Sequence, residues 1–92
     1  MPHFVVELVY GPDRERLEEV RPEHREYSRR LADQGVLLAG GPWADDTGAV
    51  LVYSVTDADE LRRVLDDDPY TPAGVIEKRT IREWTPRTGS WL

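Results

Sequence analysis

The chain of 92 residues carries a formal net charge of −6, with 39% hydrophobic and 33% charged residues. This composition indicates one folded domain, and the acidic charge argues against binding to nucleic acid or anionic membranes, which requires a basic surface. The absence of cysteine excludes disulfides, a thiol nucleophile and thiolate metal sites, while the lack of a long apolar run or a signal-peptide pattern predicts a cytoplasmic protein.

The first predicted element is a strand over residues 3–10, HFVVELVY, because its side chains alternate between two faces. One face is apolar and aromatic from Phe4 to Tyr10 and is suited to a core. The other face mixes valines with His3 and Glu7, so we expect another layer to cover it in part.

Residues 12–34 change to a helical period with an apolar stripe that includes His24. Pro22 lies inside this stripe and restricts the residue before it, so the pattern predicts a short helix, a break, and a new helix starting at Pro22. His24 would then face inward from the first turn of the new helix. Gly35 is the predicted C-terminal cap.

Residues 36–43 and 49–55 predict two strands of a hairpin joined by the turn ADDTG. The GGP sequence at residues 40–42 is too short for a phosphate-binding loop, and a turn is its simplest interpretation. Glycines at a strand end nevertheless let a ligand approach the backbone, which makes Gly41 and Pro42 candidate substrate contacts.

The segment TDADELRRVL predicts a second helix with Thr56 or Asp57 as its N-cap. It is followed by DDDPY, an acidic run at the negative end of the helix dipole, where carboxylates are unfavourable. We predict that Asp66 and Asp67 are solvated surface charges. Asp68 is restricted by the following proline, and a carboxylate held in an unfavourable position is typical of a functional site.

A last strand is predicted over residues 74–84, followed by a tail at 85–92 that is either disordered or an arm laid on a partner subunit. The order β-α-β-β-α-β over a single domain of residues 1–92 predicts a ferredoxin-like α+β fold. Its four-stranded antiparallel sheet would carry both helices on one face. The other face leads us to expect a homodimer.

His24 and Asp68 are the predicted catalytic residues. An imidazole is the usual general base at neutral pH, provided that a carboxylate orients it. The sequence pattern leaves open whether His24 instead has a structural role in the core. A metal site is not expected, because the two histidines lie on separate elements and adjacent aspartates rarely converge on one ion.

The sequences RPEH at 21–24, LLAGGP at 37–42 and DDPYTPAGV at 67–75 resemble, in order and spacing, the YciI-like family, also called the YCII-related domain. The resemblance implies a ferredoxin-like domain paired as a dimeric α/β barrel, similar to muconolactone isomerase. It also implies a histidine–aspartate site, which matches His24 and Asp68. One protein resembling this group is a dehydrochlorinase of a chlorinated hydroxyhydroquinone. Many relatives have a hydroxyl residue where this chain has Ala49.

The sequence therefore predicts a small dimeric lyase or isomerase that needs no cofactor and acts on a small cyclic or aromatic-derived molecule. Arg21 is the predicted contact for an anionic group of the substrate, and Tyr70 is predicted to form the pocket wall or to donate a hydrogen bond. The alternative is a non-catalytic module that binds a small ligand or a protein in the same pocket.

Overall fold

Four strands form one antiparallel sheet in the computed structural model, which describes all 92 residues. The elements in chain order are β1 (His3–Tyr10), α1 (Arg14–Asp33), β2 (Leu37–Pro42), β3 (Gly48–Ser54), α2 (Ala58–Asp66), α3 (Tyr70–Ala73) and β4 (Ile76–Trp84). The strand order is β2-β3-β1-β4, so the hairpin strands β2 and β3 lie side by side and β1 is central. The predicted ferredoxin-like α+β fold is confirmed, with α3 as an addition.

A cluster of 16 buried side chains forms the hydrophobic core. The alternation predicted for β1 is confirmed, since Phe4, Val6, Leu8 and Tyr10 are all buried. α1 contributes Leu17, Val20 and Leu31, and α2 contributes Leu61 and Leu65. None of the helices is both long enough and apolar enough to cross a membrane.

The predicted break at Pro22 is wrong. α1 is one helix of 20 residues, Arg14–Asp33, and runs through Pro22 without interruption. A proline costs a helix one backbone hydrogen bond and some steric strain. Here the residues that anchor the helix to the core, Leu17, Val20 and Leu31, lie on both sides of Pro22. Burial on both sides offsets the local cost, so His24 lies in the middle of a long helix and not in a first turn.

The predicted helix ends agree with the structure. Gly35 has a φ of 76°, its backbone N–H donates to the Ala32 carbonyl, and the Val36 N–H donates to the Leu31 carbonyl. These two bonds form a Schellman cap. At the start of α2 the Asp57 side chain accepts from the Glu60 backbone N–H, while the Glu60 carboxylate accepts from Thr56.

The short helix α3 was not predicted. Its first residue, Tyr70, is buried, and its end is marked by Gly74 with a φ of 69°. The Thr71 hydroxyl also donates to the Leu65 carbonyl at 2.6 Å, which joins α3 to the end of α2. Four residues are too few for a periodic pattern, so the sequence does not indicate this helix.

None of the three helices covers the second face of the sheet. Val9 there is 43% exposed, and Trp84, which pairs with His3, is 41% exposed. The tail at 85–92 contributes Trp91 and Leu92 to a cavity that His3 and Trp84 also line. Apolar side chains are therefore exposed on the face for which the sequence predicted a partner.

Candidate functional site

The three aspartates at the end of α2 differ in burial. Asp66 and Asp67 are exposed, as predicted, whereas Asp68 is buried with 9% of its side chain exposed. The Asp68 Oδ1 atom accepts a hydrogen bond of 2.9 Å from the Tyr70 backbone N–H. This contact across Pro69 is an Asx-turn, a local interaction that aspartate forms readily. The turn orients the carboxylate.

The buried carboxylate of Asp68 contacts the imidazole of His24. The His24 Nδ1 atom lies 2.9 Å from Asp68 Oδ1 and 2.9 Å from Asp68 Oδ2. An ionised carboxylate only accepts hydrogen bonds, so the proton of a neutral imidazole resides on Nδ1. The lone pair of His24 is then on Nε2. This is the orientation that a general base requires.

Tyr70 holds the other side of this pair. Its ring is stacked on the His24 ring, with centroids 3.9 Å apart and an interplanar angle of 8°. Its hydroxyl accepts a hydrogen bond of 3.3 Å from Arg21 Nε. Burial raises the pKa of Tyr70, although the hydrogen bond from Arg21 lowers it. The phenol is therefore protonated at neutral pH. The contact with Asp68 fixes the direction of the imidazole, and the stacking on Tyr70 fixes the plane of its ring.

Asp46, in the turn between β2 and β3, completes a network that sequence reasoning missed. Arg21 Nη2 donates to Asp46 Oδ1 at 3.1 Å, and Arg14 Nη2 donates to Asp46 Oδ2 at 2.7 Å. Asp46 has a φ of 58°, a left-handed conformation that aspartate tolerates better than most residues. The turn sequence ADDTG signals such a conformation, but nothing local indicates the arginine partners. The network joins the hairpin to Tyr70.

Asp46→Asn is expected to make the protein less stable near neutral pH and to reduce the loss of stability in acid. The hydrogen bond from Arg21 is the main cause that holds the Asp46 pKa below its ordinary value of 3.8. A group with a lowered pKa in the folded state stabilises the fold above its unfolded pKa, and this contribution disappears as the pH falls through the folded pKa. The stability difference between wild type and variant should therefore shrink between about pH 6 and about pH 3.

Urea unfolding of both proteins at the two pH values measures this difference. Glu23→Gln is the control, because Glu23 is an exposed residue of α1 that forms no salt bridge. Its stability should follow that of the wild type at both pH values. If the stability difference between wild type and Asp46→Asn stayed constant or grew in acid, the stabilising contact between Asp46 and Arg21 would be contradicted.

A cavity of about 160 Å³, here called the His24 cavity, lies beside the imidazole. Of the predicted site residues, His24, Tyr70, Gly41 and Pro42 all line it. Arg21 does not, because its guanidinium is engaged by Asp46 and Glu18. Asp68 also lies outside its lining, so Nδ1 is directed away from the cavity and Nε2 is the nitrogen left for a ligand.

The His24 cavity has three further polar residues, Tyr10, Arg25 and Ser28. Burial is the main cause that raises the pKa of Tyr10, so its hydroxyl is protonated at neutral pH. Ser28 follows His24 by four residues, and this spacing puts both on one side of a helix. That spacing was a usable signal in the sequence, whereas the position of Arg25 at the cavity was not foreseeable. Ala49 also lines the cavity.

A second cavity of about 310 Å³, here called the Asp68 cavity, is also lined by Tyr70. It is lined by Asp68 together with Glu77, Lys78 and Arg79 of β4. His24 is not part of its lining, so it offers no free imidazole nitrogen. The Asp68 cavity is the larger of the two, but the His24 cavity is the better place for proton-transfer chemistry.

The fold and these side chains define a ferredoxin-like α+β domain with a part-buried histidine–aspartate pair beside a small cavity. The model of the YCII-related domain family matches residues 3–85, and the chain belongs to this family. The resemblance found in the sequence is thereby confirmed. No curated protein sequence gives a significant match.

Several solved structures are similar to this chain. The 5-chloro-2-hydroxyhydroquinone dehydrochlorinase of Burkholderia phenoliruptrix, solved with 2,5-dihydroxybenzoquinone, has a TM-score of 0.76 and 23% identity, covering 90% of this chain and 93% of that protein. A candidate antibiotic biosynthesis monooxygenase of Bacteroides thetaiotaomicron has a TM-score of 0.66 and 12% identity, with coverages of 97% and 91%. At these identities the likeness shows the shared fold.

Proposed function

We propose that the protein is a small lyase or isomerase that transfers a proton through the His24–Asp68 pair on a small cyclic or aromatic-derived substrate, without a cofactor. The observation that carries this proposal is the contact of both Asp68 oxygens with His24 Nδ1 at 2.9 Å. Family membership and the structural likeness to a dehydrochlorinase support an enzyme of this kind. At about 160 Å³ the His24 cavity is close in volume to an engineered apolar cavity that binds benzene, so it has room for one small ring.

In the proposed reaction His24 Nε2 takes a proton from a C–H or O–H group of the substrate. The electron pair of that bond moves into the ring system. In an elimination it expels a leaving group such as chloride from a saturated carbon of the ring, and His24 then releases its proton to water. In an isomerisation the imidazolium returns the proton at another carbon. Asp68 stabilises the imidazolium that forms in between. Both outcomes balance without an oxidant or reductant.

Chlorinated hydroquinones, including 5-chloro-2-hydroxyhydroquinone, and small unsaturated lactones form the panel that tests this function. Ultraviolet absorbance and chloride release report turnover. We expect the wild-type protein to consume at least one compound, and His24→Ala to lower kcat about 100-fold or more, which is the usual contribution of a general base. His3→Ala is the matched control, because His3 lies on β1 at the other face of the sheet. It should retain wild-type turnover.

Two outcomes would count against this function. If His24→Ala turned over the same compound as fast as the wild type, the proposed mechanism would be wrong. If compounds bound but none was consumed, the protein would instead be a non-catalytic module that binds small ligands.

We also propose that two copies pair through the uncovered face of the sheet. Its exposed side chains Val9 and Trp84 would be buried by a second sheet, and Trp91 of the tail lies close enough to Trp84 to line the same cavity. Analytical ultracentrifugation at micromolar concentration should show a dimer, and Val9→Lys should shift it to the monomer. A wild-type protein that sediments as a monomer would refute this pairing.

A further inference from the structure

The polar groups of the His24 cavity are unusually one-sided. Tyr10 and Ser28 contribute hydroxyls, and Arg25 contributes a guanidinium, whereas no aspartate or glutamate lines the cavity. His24 contributes the lone pair of its Nε2 atom. The Asp68 cavity is different, because it balances Lys78 and Arg79 with two carboxylates. The side chains that line the His24 cavity therefore carry a positive charge, although the whole chain has a net charge of −6.

Arg25 is the source of that positive charge, and it has no partner of its own. Four other arginines of α1 are paired with acidic side chains, namely Arg14, Arg16, Arg21 and Arg29. Arg30 instead lies over the ring of Tyr27. Arg25 forms no salt bridge and no hydrogen bond, and it is exposed at the cavity. A guanidinium is the side chain best suited to bind a planar carboxylate or a similar anionic oxygen pair.

We propose that Arg25 selects the ligand of the His24 cavity, and that this ligand is a small organic anion whose charged oxygen pairs with the Arg25 guanidinium. This inference rests on the proposed function, because it names the substrate class of that same site. The hydroxyls of Tyr10 and Ser28 donate to further oxygens of the anion, and His24 Nε2 faces its acidic proton. Arg21, the residue predicted for this role, instead positions Tyr70.

The positive charge of Arg25 also reaches the stacked ring beside His24. Burial raises the pKa of Tyr70, and the charges of Arg21 and Arg25 act in the opposite direction. Because Arg25, His24 and Tyr70 line the same cavity, an anion bound at Arg25 would lie close to the His24–Tyr70 stack.

Benzoate and benzamide are suitable probes, because they share size and shape while only benzoate is charged at neutral pH. Titration followed by ¹H–¹⁵N NMR gives both dissociation constants. We expect benzoate to bind more tightly than benzamide and to shift resonances of Ser28 and Gly41. Arg25→Gln should weaken benzoate binding about tenfold, the value of one charge-assisted hydrogen bond at an exposed site, and leave benzamide binding unchanged.

Arg29→Gln is the matched control, since it removes the same charge from α1 at a residue outside the cavity. It should change neither dissociation constant more than about twofold. Equal binding of the two probes, absence of benzoate binding, or an equal effect of Arg29→Gln would each overturn the proposal. Because binding is measured without turnover, a failed search for a substrate would refute the enzymatic function and leave this result standing.

Discussion

Asp68→Asn is expected to lower kcat about 100-fold to 10,000-fold on any substrate that the wild-type protein turns over, with a much smaller change in KM. The replacement keeps the shape of the side chain, and its carbonyl oxygen can still accept from the Tyr70 N–H. Its amide group would then face His24 Nδ1 and donate to it. The imidazole proton would move to Nε2, so the lone pair would be lost from the His24 cavity. Serine proteases show that such a tautomer change costs about four orders of magnitude.

The tautomer of His24 can be measured directly, and it would not change in Asp68→Asn if Asp68 had only a structural role. Long-range ¹H–¹⁵N correlation spectra of the neutral imidazole should show the proton on Nδ1 in the wild type and on Nε2 in Asp68→Asn. Asp67→Asn is the control, because it removes the same charge one residue earlier at an exposed position. It should retain both the wild-type tautomer and wild-type turnover. Unchanged kcat in Asp68→Asn would exclude the carboxylate from the mechanism.

Gly48→Ala is expected to have the largest effect on stability, with a loss of about 3 kcal/mol or more in the free energy of unfolding. A Cβ atom at Gly48 would lie 1.9 Å from the backbone oxygen of Leu8, far inside van der Waals contact. Gly48 pairs with Val9 in the central strands, so relief of the clash would require β1 and β3 to separate. Urea unfolding measures the loss.

Gly41→Ala is the control for this substitution. A Cβ atom at Gly41 would have no neighbour within 4 Å, although this residue is also a glycine of the same hairpin. Its unfolding free energy should change by less than about 1 kcal/mol. The two variants together separate the general effect of a glycine replacement from a specific clash. If Gly48→Ala unfolded at the same urea concentration as Gly41→Ala, the close approach of β3 to β1 would be contradicted.

Local patterns in the sequence were sufficient for most of the fold. The alternation of β1, the cap at Gly35 and the N-cap at Asp57 all depend on residues within a few positions of each other, and each agrees with the structure. The same local reasoning failed at Pro22. The rule for proline describes the cost within the helix alone, whereas packing against the core on both sides of Pro22 decides the outcome.

The choice of Asp68 over its neighbours also came from the sequence. Pro69 restricts the backbone of Asp68 alone among the three aspartates, and the Asx-turn is a consequence of that local geometry. His24 was singled out by its place on the apolar stripe of the first helix, and the family resemblance implied the same pair. The catalytic role of the pair stays a prediction.

The sequence by itself therefore determined the order of the strands and of α1 and α2, the caps of these two helices and the aspartate that turns away from solvent. Only the tertiary structure decided which side chains meet: His24 and Asp68 are 44 positions apart, and Arg21 and Asp46 are 25 apart. It directed Arg21 to Asp46 and Tyr70 and left Arg25 at the cavity. The physical reason is that caps and turns depend on nearest neighbours, whereas the partner of a charged side chain depends on how separate elements pack.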